Sequence, residues 1–355
     1  MIVDFYSTQN MPRALKRDFM KSVRQTIDSD VLIEGTSCRA FEYKFADYLG
    51  VSNALGVGNG FDALKVSLQA LELGPGDRIA VPAHTFIATW YAVLSIGAKP
   101  VGVDVTPDGQ IDLDHLEKIE NLQAVIPVHM HGTHCDMKRL TNWAKGQGVK
   151  IIEDCAQSAG LEIQGKKAGS WGDIAAFSFY PTKNLFAMGD GGAIATNDKN
   201  LHEKARMLSR YGADKNNKYK HLTPGQNSRL DSIQANFLVR TLDYLDGWNY
   251  QRLEVAHHYL EFFSELALPV SNNSIYHHFA ILIEDRDRIK KQLFTSGVNT
   301  EIHYPFVAGL EVQKLPNKYP SSVSIANHTL SLPISPWQTS KQTSHVIKTL
   351  TEILK

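Results

Sequence analysis

Apolar and polar residues follow two different periods along the first two hundred residues of the chain. Residues 11–50 carry two patterns of helical period, and the second stops at Gly50, as expected of a helix with a glycine C-cap. Short apolar runs predict strands, and helical patterns fill most of the intervals; these runs are 54–58, 78–82, 100–105, 124–129, 149–152 and 174–180. This alternation over residues 54–197 predicts an α/β fold with a mostly parallel sheet wrapped by helices.

The pattern changes after residue 200, where the chain becomes more polar and more helical. Residues 215–220 predict an exposed loop, and a long helix is expected from Leu230 to about Leu266. The last ninety residues combine an apolar run at 277–283, a helical pattern at 286–294 and a C-terminal helix. We therefore predict a large α/β domain over residues 1–240 and a small α+β domain over residues 241–355.

Composition narrows the class of protein without naming a reaction. The 355 residues contain 37 Lys plus Arg and 37 Asp plus Glu, so no net charge favours nucleic acid or an anionic membrane. No apolar run approaches the ~20 residues of a membrane span, and the N-terminus lacks the features of a signal peptide. Three cysteines without regular spacing (Cys38, Cys135 and Cys155) indicate a reducing compartment. We expect a cytoplasmic protein.

One isolated amine stands out in the stretch 172–192. Residues 174–180 predict a buried strand, which Pro181 ends because it lacks an N–H group. Lys183 follows and is the only charged residue between Asp173 and Asp190. A lysine held among apolar and aromatic residues loses its proton easily, as a Schiff-base lysine must. A surface lysine in a loop is the alternative, and this stretch alone does not exclude it.

A carboxylate lies 29 residues upstream of that lysine. Asp154 comes just after the predicted strand 149–152, and ligands of open α/β sheets bind at the carboxyl ends of strands. A pyridoxal-phosphate site needs a lysine for the aldehyde and a carboxylate that keeps the ring nitrogen protonated. By itself Asp154 also fits a helix cap or an ion pair. The two residues together, on neighbouring strand ends, favour the cofactor.

Three further features have a chemical reading. The Gly-Asn-Gly turn before a helix starting near Phe61 suits a phosphate, and Phe86, at a strand end, suits stacking on a flat ring. An ordinary helix cap and a core phenylalanine are the alternatives. A third group, His129, His131, His134 and Cys135, resembles a zinc cluster. Fourteen histidines make chance clustering common, and we favour a pocket-lining role for His129 or His131.

Asp154, Gln157, Ser178 and Lys183 together resemble the fold-type I pyridoxal-phosphate enzymes. More narrowly, the chain is similar to the sugar-nucleotide aminotransferases called the DegT family. The resemblance runs from about residue 30 to the C-terminus, and its motifs occur in unbroken order at 58–64, 82–90, 153–158, 177–185, 225–231 and 303–305.

The resemblance implies a role for each matched residue. Lys183 would bind the cofactor aldehyde and act as the general base, while Asp154 would pair with the ring nitrogen. The remaining cofactor contacts would come from Gln157 at the ring hydroxyl, Phe86 stacked on the ring, and Ser178 with the backbone of Gly60 and Phe61 at the phosphate. Asn227 would reach the phosphate in the neighbouring subunit, making the protein a homodimer with shared active sites. The candidates for the sugar substrate are His131, Arg229 and Tyr304.

The implied reaction moves an amino group from glutamate to a dTDP-3-keto-6-deoxyhexose, giving a dTDP-3-amino-3,6-dideoxyhexose. Two departures from the family pattern leave the hexose open: His131 stands where an aromatic hydroxyl is common, and residues 306–310 replace a Pro/His-rich loop. The sequence also leaves open the nucleotide base, the stereochemistry, and whether the sugar enters a surface polysaccharide such as a lipopolysaccharide O-antigen or a secondary metabolite.

Three other functions compete with this one. The nearest is an aminotransferase for a dTDP-4-keto-6-deoxyhexose. A sugar dehydratase of the same fold is disfavoured, because such relatives commonly place His where this chain has Lys183. The third is a catalytically inactive regulatory or scaffold protein, and the retention of the four matched residues argues against it.

Overall fold

The computed structural model of the chain describes residues 1–7, 10–29, 31–314 and 318–355. Its helices are α1 Arg13–Asp28, α2 Thr36–Leu49, α3 Gly60–Ala70, α4 Ile87–Ser95, α5 Leu113–Leu116, α6 Met137–Gln147, α7 Lys199–Leu208, α8 Ser232–Thr241, α9 Leu245–Phe263, α10 Arg286–Thr295, α11 Ala308–Gln313, α12 Pro320–His328 and α13 Ser340–Leu354. Its strands are β1 Asn53–Val57, β2 Arg78–Pro82, β3 Lys99–Val103, β4 Ala124–Val125, β5 Lys150–Asp154, β6 Glu162–Ile163, β7 Lys166–Lys167, β8 Ile174–Ser178, β9 Gly192–Thr196, β10 Ala213–Asp214, β11 Asn217–His221, β12 Phe279–Leu282 and β13 Thr329–Leu332. Short 3-10 turns cover Met130–Gly132 and Leu242–Tyr244.

A seven-stranded sheet in the order β1-β9-β8-β5-β4-β2-β3 forms the centre of the molecule. Strand β9 pairs antiparallel with both β1 and β8, while the other pairs are parallel. Six strands therefore run in one direction and end at the same edge of the sheet. The predicted α/β fold with a mostly parallel sheet is confirmed.

The sheet is covered on both faces, as its apolar strands predict. Consecutive strand residues point to opposite faces, and Ile151 and Ile152 of β5 accordingly belong to two different buried clusters. Phe41 and Phe45 of α2 pack in the first cluster, and Trp90 of α4 packs in the second. The two clusters hold the sheet from both faces, and with it the edge at which the predicted site residues lie.

A third buried cluster unites the C-terminal part of the chain with its first residues. Strands β12 and β13 pair with each other and pack with α9, α10 and α13. Val3 joins this cluster, because its N–H donates to Gly297 and its carbonyl accepts from Asn299. The division of the chain near residue 240 stays a prediction. No helix in the described ranges is both long and apolar enough to span a bilayer.

Three local predictions were wrong in detail. The segment 215–220 belongs mostly to the hairpin β10–β11, and the residues of β11 are all exposed, so no alternation of burial marks it as a strand. The long helix is interrupted by the turn Leu242–Tyr244, next to Thr241, whose hydroxyl bonds to carbonyls of the preceding turn. Of the strand predicted at 124–129, β4 covers only Ala124–Val125, because Pro127 offers no N–H, and pairing with β5 resumes as a single bridge between Val128 and Asp154.

Candidate active site

The predicted site residues come from turns at one edge of the sheet. Two residues separate α3 from β1, Phe86 precedes α4 beyond β2, and Asp154 and Ser178 are the last residues of β5 and β8. Lys183 lies in the turn after β8, where its N–H donates to the carbonyl of Tyr180 at 2.8 Å. Since these strands run in the same direction, the sheet topology brings all five positions to one edge.

Lys183 carries a half-buried amine with no fixed partner. Its Nζ makes no hydrogen bond or ion pair with any residue that the structure describes. Burial lowers the pKa of Lys183 from 10.5 to about 8, and the negative charge of Asp154 acts against that shift. A substantial fraction of the amine is therefore neutral, and nucleophilic, near physiological pH.

Asp154 is a buried carboxylate held on both oxygens. Its Oδ2 accepts from the hydroxyl of Thr89 at 3.0 Å, and its Oδ1 accepts from the N–H of Ala156 at 3.1 Å. Burial raises the pKa of Asp154, while these hydrogen bonds and the charge of Lys183 lower it. The charge of each group shifts the pKa of the other, so Lys183 and Asp154 interact electrostatically.

Gln157 connects two of the predicted substrate residues. Its Oε1 accepts from the backbone N–H of His131 at 2.7 Å, and its Nε2 donates to the hydroxyl of Tyr304 at 3.0 Å. The first contact fixes which way the amide points and leaves the second N–H of Nε2 for another acceptor. Burial raises the pKa of Tyr304, so its hydroxyl stays protonated.

The start of α3 lies against the end of β8. A Cβ placed on Gly60 would stand 2.7 Å from the Cβ of Ser178, a distance that real side chains do not tolerate. Asn59 caps the helix by accepting from the N–H of Asp62 at 2.8 Å. The N–H groups of the first turn and the Ser178 hydroxyl are therefore close enough for one phosphate to contact both.

Phe86 stands at the open side of the site. Its side chain is 53% exposed, and its ring centre lies 5.4 Å from that of Tyr304. An aromatic ring with one free face is available for stacking on a flat ligand.

Asn227 and Arg229 are not brought into this group within one subunit. Asn227 is exposed, and its Oδ1 accepts from Nε of Arg229 at 3.0 Å. Arg229 lines a different cavity, together with Glu34 and Arg210. The roles predicted for Asn227 at a partner's phosphate and for Arg229 at the sugar stay predictions.

Predicted His131 belongs to a cluster of histidines near Lys183, two of which, His277 and His278, had no predicted role. The rings of His278 and His303 stack at 3.8 Å, and Nδ1 of His278 lies 3.2 Å from Nδ1 of His131. His277 hydrogen-bonds through Nδ1 to Oδ1 of Asn184 at 2.8 Å. Burial lowers the pKa of all these histidines, so the rings are neutral at physiological pH. His131 and the motif 303–305 were candidates from the sequence, whereas the pair at 277–278 was not, because no local pattern joins it to Lys183.

The histidines weighed as zinc ligands do not converge. His131 faces His278, and His134 bonds to the carbonyl of Cys135. His129 instead pairs with buried Glu153 at 3.1 Å, close to Cys155. Glu153 also accepts three backbone N–H groups from residues 169–172, so its contacts are explained by the turn that it holds.

These residues fit the cofactor that the sequence resemblance implies. Lys183 offers an amine without a partner, and Asp154 offers a buried carboxylate in the same electrostatic environment. Gln157 keeps one N–H donor, and the absence of a side chain on Gly60 lets the start of α3 approach the Ser178 hydroxyl closely. Together they match the aldehyde, ring nitrogen, hydroxyl and phosphate of pyridoxal phosphate in donor and acceptor type.

Comparison with protein families and curated proteins gives one consistent result. The model of the DegT/DnrJ/EryC1/StrS aminotransferase family matches residues 13–351. The erythromycin biosynthesis sensory transduction protein EryC1 of Saccharopolyspora erythraea is 38% identical, with 99% of each chain covered. The dTDP-3-amino-3,4,6-trideoxy-alpha-D-glucose transaminase of Streptomyces venezuelae is 37% identical, covering 99% of this chain and 96% of the relative. The UDP-N-acetyl-3-dehydro-alpha-D-glucosamine 3-aminotransferase of Acidithiobacillus ferrooxidans is also 37% identical, over 91% and 90%.

Solved structures agree with these relatives. S. venezuelae DesV in complex with a ketimine intermediate matches with a TM-score of 0.95 at 36% identity, covering 100% of this chain and 99% of that one. NtdA of Bacillus subtilis, solved with the bound cofactor PMP, matches with a TM-score of 0.92 at 29% identity, covering 99% and 85%.

Proposed function

Because the chain belongs to the DegT/DnrJ/EryC1/StrS aminotransferase family, we propose that it moves an amino group from glutamate to a nucleotide-linked keto-sugar, with pyridoxal 5′-phosphate as cofactor. One observation carries this proposal. The amine of Lys183, with its lowered pKa, and the buried carboxylate of Asp154 interact at neighbouring strand ends of one sheet edge. A scaffold protein has no need of such a pair.

The residues of the chain divide the chemistry among themselves. The bound cofactor supplies an electron sink for the bonds at the reacting carbon. Asp154 would keep a proton at the ring nitrogen, and Gln157 would orient the ring through its remaining N–H. Nζ of Lys183 would bind the aldehyde and, as a general base, would move the proton of the reacting carbon of the amino donor. Ser178 and the backbone of Gly60 and Phe61 would hold the phosphate, and Phe86 would cover the ring.

We infer that the sugar is a dTDP-3-keto-6-deoxyhexose and the product a dTDP-3-amino-3,6-dideoxyhexose. Position 3 of the sugar appears in the names of both a dTDP-sugar and a UDP-sugar relative, which supports amination at that carbon. The alternative is a 4-keto sugar of the same nucleotide. His131 and Tyr304, joined through Gln157, are proposed to contact the hexose, and Arg229 is proposed to contact it from the partner subunit.

We also propose a homodimer in which Asn227 reaches the phosphate of the partner's cofactor. The exposure of Asn227, away from the Lys183 group of its own subunit, supports this arrangement. Three buried free thiols support a cytoplasmic location, and the separate C-terminal core supports a small domain over residues 241–355.

The test is direct. The purified protein is incubated with glutamate and a panel of 3-keto and 4-keto hexoses linked to dTDP or UDP, and the products are identified by mass and NMR. We expect a yellow protein that aminates a 3-keto dTDP-sugar. A colourless protein that takes up no cofactor would favour the scaffold function, for which one relative is named a sensory transduction protein. Amination at carbon 4 would favour the alternative substrate.

A further inference from the structure

One cation beside Lys183 has no counter-charge. Arg252 of α9 is 7% exposed and lines the same cavity as Lys183, His277 and His278. Its Nη1 donates to two carbonyls, those of Ile334 at 3.0 Å and His277 at 3.5 Å. Its Nε is buried without a hydrogen-bond partner, and no carboxylate of the described residues lies within 4 Å of its guanidinium.

The surroundings of Arg252 do not neutralise it. A buried guanidinium is stable only when anionic or strongly polar groups replace its hydration. Burial lowers the pKa of Arg252 to about 10, so it remains charged, while the neighbouring histidines are neutral. Among the described residues of the lining, the one acidic residue is Asp4, which is exposed and accepts from Nδ2 of Asn299 at 2.9 Å. Among the described residues, the cavity therefore holds the positive charge of Arg252 without a carboxylate bonded to it.

We propose that Arg252 binds a carboxylate of the amino donor, an inference that rests on the proposed function. A guanidinium matches a carboxylate through paired N–H groups, and the donor's amino group must reach Lys183 in this same cavity. The diphosphate of the sugar nucleotide is the other anion available. The cavity volume favours the smaller group, since it is about 40 Å³, whereas the adjoining groove, lined by Lys290 and Lys291, measures about 910 Å³.

Two variants of the cofactor-loaded enzyme separate binding from structural support. Arg252→Gln removes the charge. Tyr259→Phe removes a hydrogen bond to the carbonyl of Pro333, in the same C-terminal stretch, and leaves every charge in place. Glutarate, a five-carbon dicarboxylate without an amine, serves as the probe, with binding measured by calorimetry and thermal shift. KM is then measured separately for glutamate and for the sugar nucleotide.

We expect wild type and Tyr259→Phe to bind glutarate, and Arg252→Gln to bind it about tenfold or more weakly, with a matching rise in the KM for glutamate. The KM for the sugar nucleotide should change less than about twofold. If Arg252→Gln does not fold, Arg252→Lys, which keeps the charge and loses the paired donors, should show the same selective weakening.

Three outcomes would overturn the assignment. Wild type that does not bind glutarate has no carboxylate site. A rise in the KM for the sugar nucleotide alone assigns Arg252 to the diphosphate. If Arg252→Gln binds glutarate as wild type does and only its Tm is lower, Arg252 stabilises the fold and does not bind the carboxylate. Failure of the proposed function would be seen in a different measurement, because wild type would then aminate no sugar. The glutarate-binding experiment would still test the role of Arg252.

Discussion

Burial acts on Lys183 and Asp154 in opposite senses. It lowers the pKa of the amine and raises the pKa of the carboxyl, so both groups move toward their neutral forms, while each group's charge partly reverses the shift of the other. A bound pyridine ring with a protonated nitrogen would supply Asp154 with a second positive partner. In that proposed complex, two positive charges would favour the ionised form of Asp154.

The pKa of Lys183 predicts how cofactor uptake depends on pH. Only the neutral amine attacks the aldehyde, and its fraction rises with pH through the pKa of about 8. The rate of cofactor uptake by the cofactor-free protein should therefore increase from pH 6.5 and level off above about pH 9. Stopped-flow absorbance measures this rate, with Lys183→Ala as the control that forms no covalent band. A rate that is flat over this range would contradict the assignment.

Asp154→Ala tests the role of the carboxylate. We expect turnover to fall about 100-fold or more, because nothing then holds the proton at the ring nitrogen. Thr89→Val is the matched control, since it removes one hydrogen bond to Asp154 and keeps the charge. N-methylated pyridoxal phosphate carries a permanent positive charge and should restore part of the turnover in Asp154→Ala, which has room for the methyl group. A lack of rescue, with the N-methylated cofactor bound, would count against this role.

At the residue scale, the sequence alone was sufficient to predict Lys183 and Asp154 as site residues, because each stands out within its own local segment. Lys183 is conspicuous because it is an isolated charge after a buried strand, and Asp154 because it ends one. Arg252 and His278 were missed because they come from α9 and from the segment before β12, and only the packing of the C-terminal part against the sheet edge brings them to Lys183. The periodicity of apolar residues does not predict contacts between segments so far apart in the chain.

At the element scale, the junction of α3 and β8 makes a testable claim about the phosphate. Gly60→Ala would place a methyl group 2.7 Å from Cβ of Ser178 and push the helix start away from the strand end. We expect cofactor affinity, measured by equilibrium titration, to fall about tenfold or more. Gly146→Ala in α6, where an added Cβ meets nothing within 4 Å, should leave affinity unchanged and stabilise the protein by about 0.5–1 kcal/mol. Equal affinities for both variants would place the phosphate elsewhere.

The elements that were predicted well are those buried on at least one face. The strands β2, β5 and β8 are apolar runs, and α3 and α6 follow capping residues, so their burial and their first residues leave a pattern in the sequence. The hairpin strand β11 is exposed along its whole length, and its Lys and Asn residues form no pattern typical of a strand. The break between α8 and α9 lacks Pro and Gly, and it therefore left the helical period intact.

At the scale of the whole molecule, two of the predicted site residues lie apart from the others within one subunit. Asn227 and Arg229 lie outside the Lys183 group, although their segment packs against the turn before α3, where Ser228 accepts from the N–H of Gly58 at 3.0 Å. Large apolar side chains are exposed on α1 and on the segment that follows it: Met20, Ile27, Val31, Leu32 and Ile33. Such exposure is typical of a surface that a partner covers.

A shared site can be tested by combining inactive subunits. Lys183→Ala breaks the site of its own subunit, and Asn227→Asp would repel the phosphate bound in its partner's site. In a mixed dimer, one site then carries both changes and the other carries neither. Equal amounts of the two variants, refolded together, should give about one quarter of wild-type activity, because half of the dimers are mixed and each has one intact site.

The matched control combines Lys183→Ala with Asp154→Ala. Both of these residues act in the site of their own subunit, so a mixed dimer has two broken sites and should stay inactive. Activity regained in the first mixture and not in the second requires that Asn227 acts across the interface, since subunit exchange and refolding are the same in both. Recovery in neither mixture would mean that each subunit builds its phosphate site alone, and Asn227 would then need a different role.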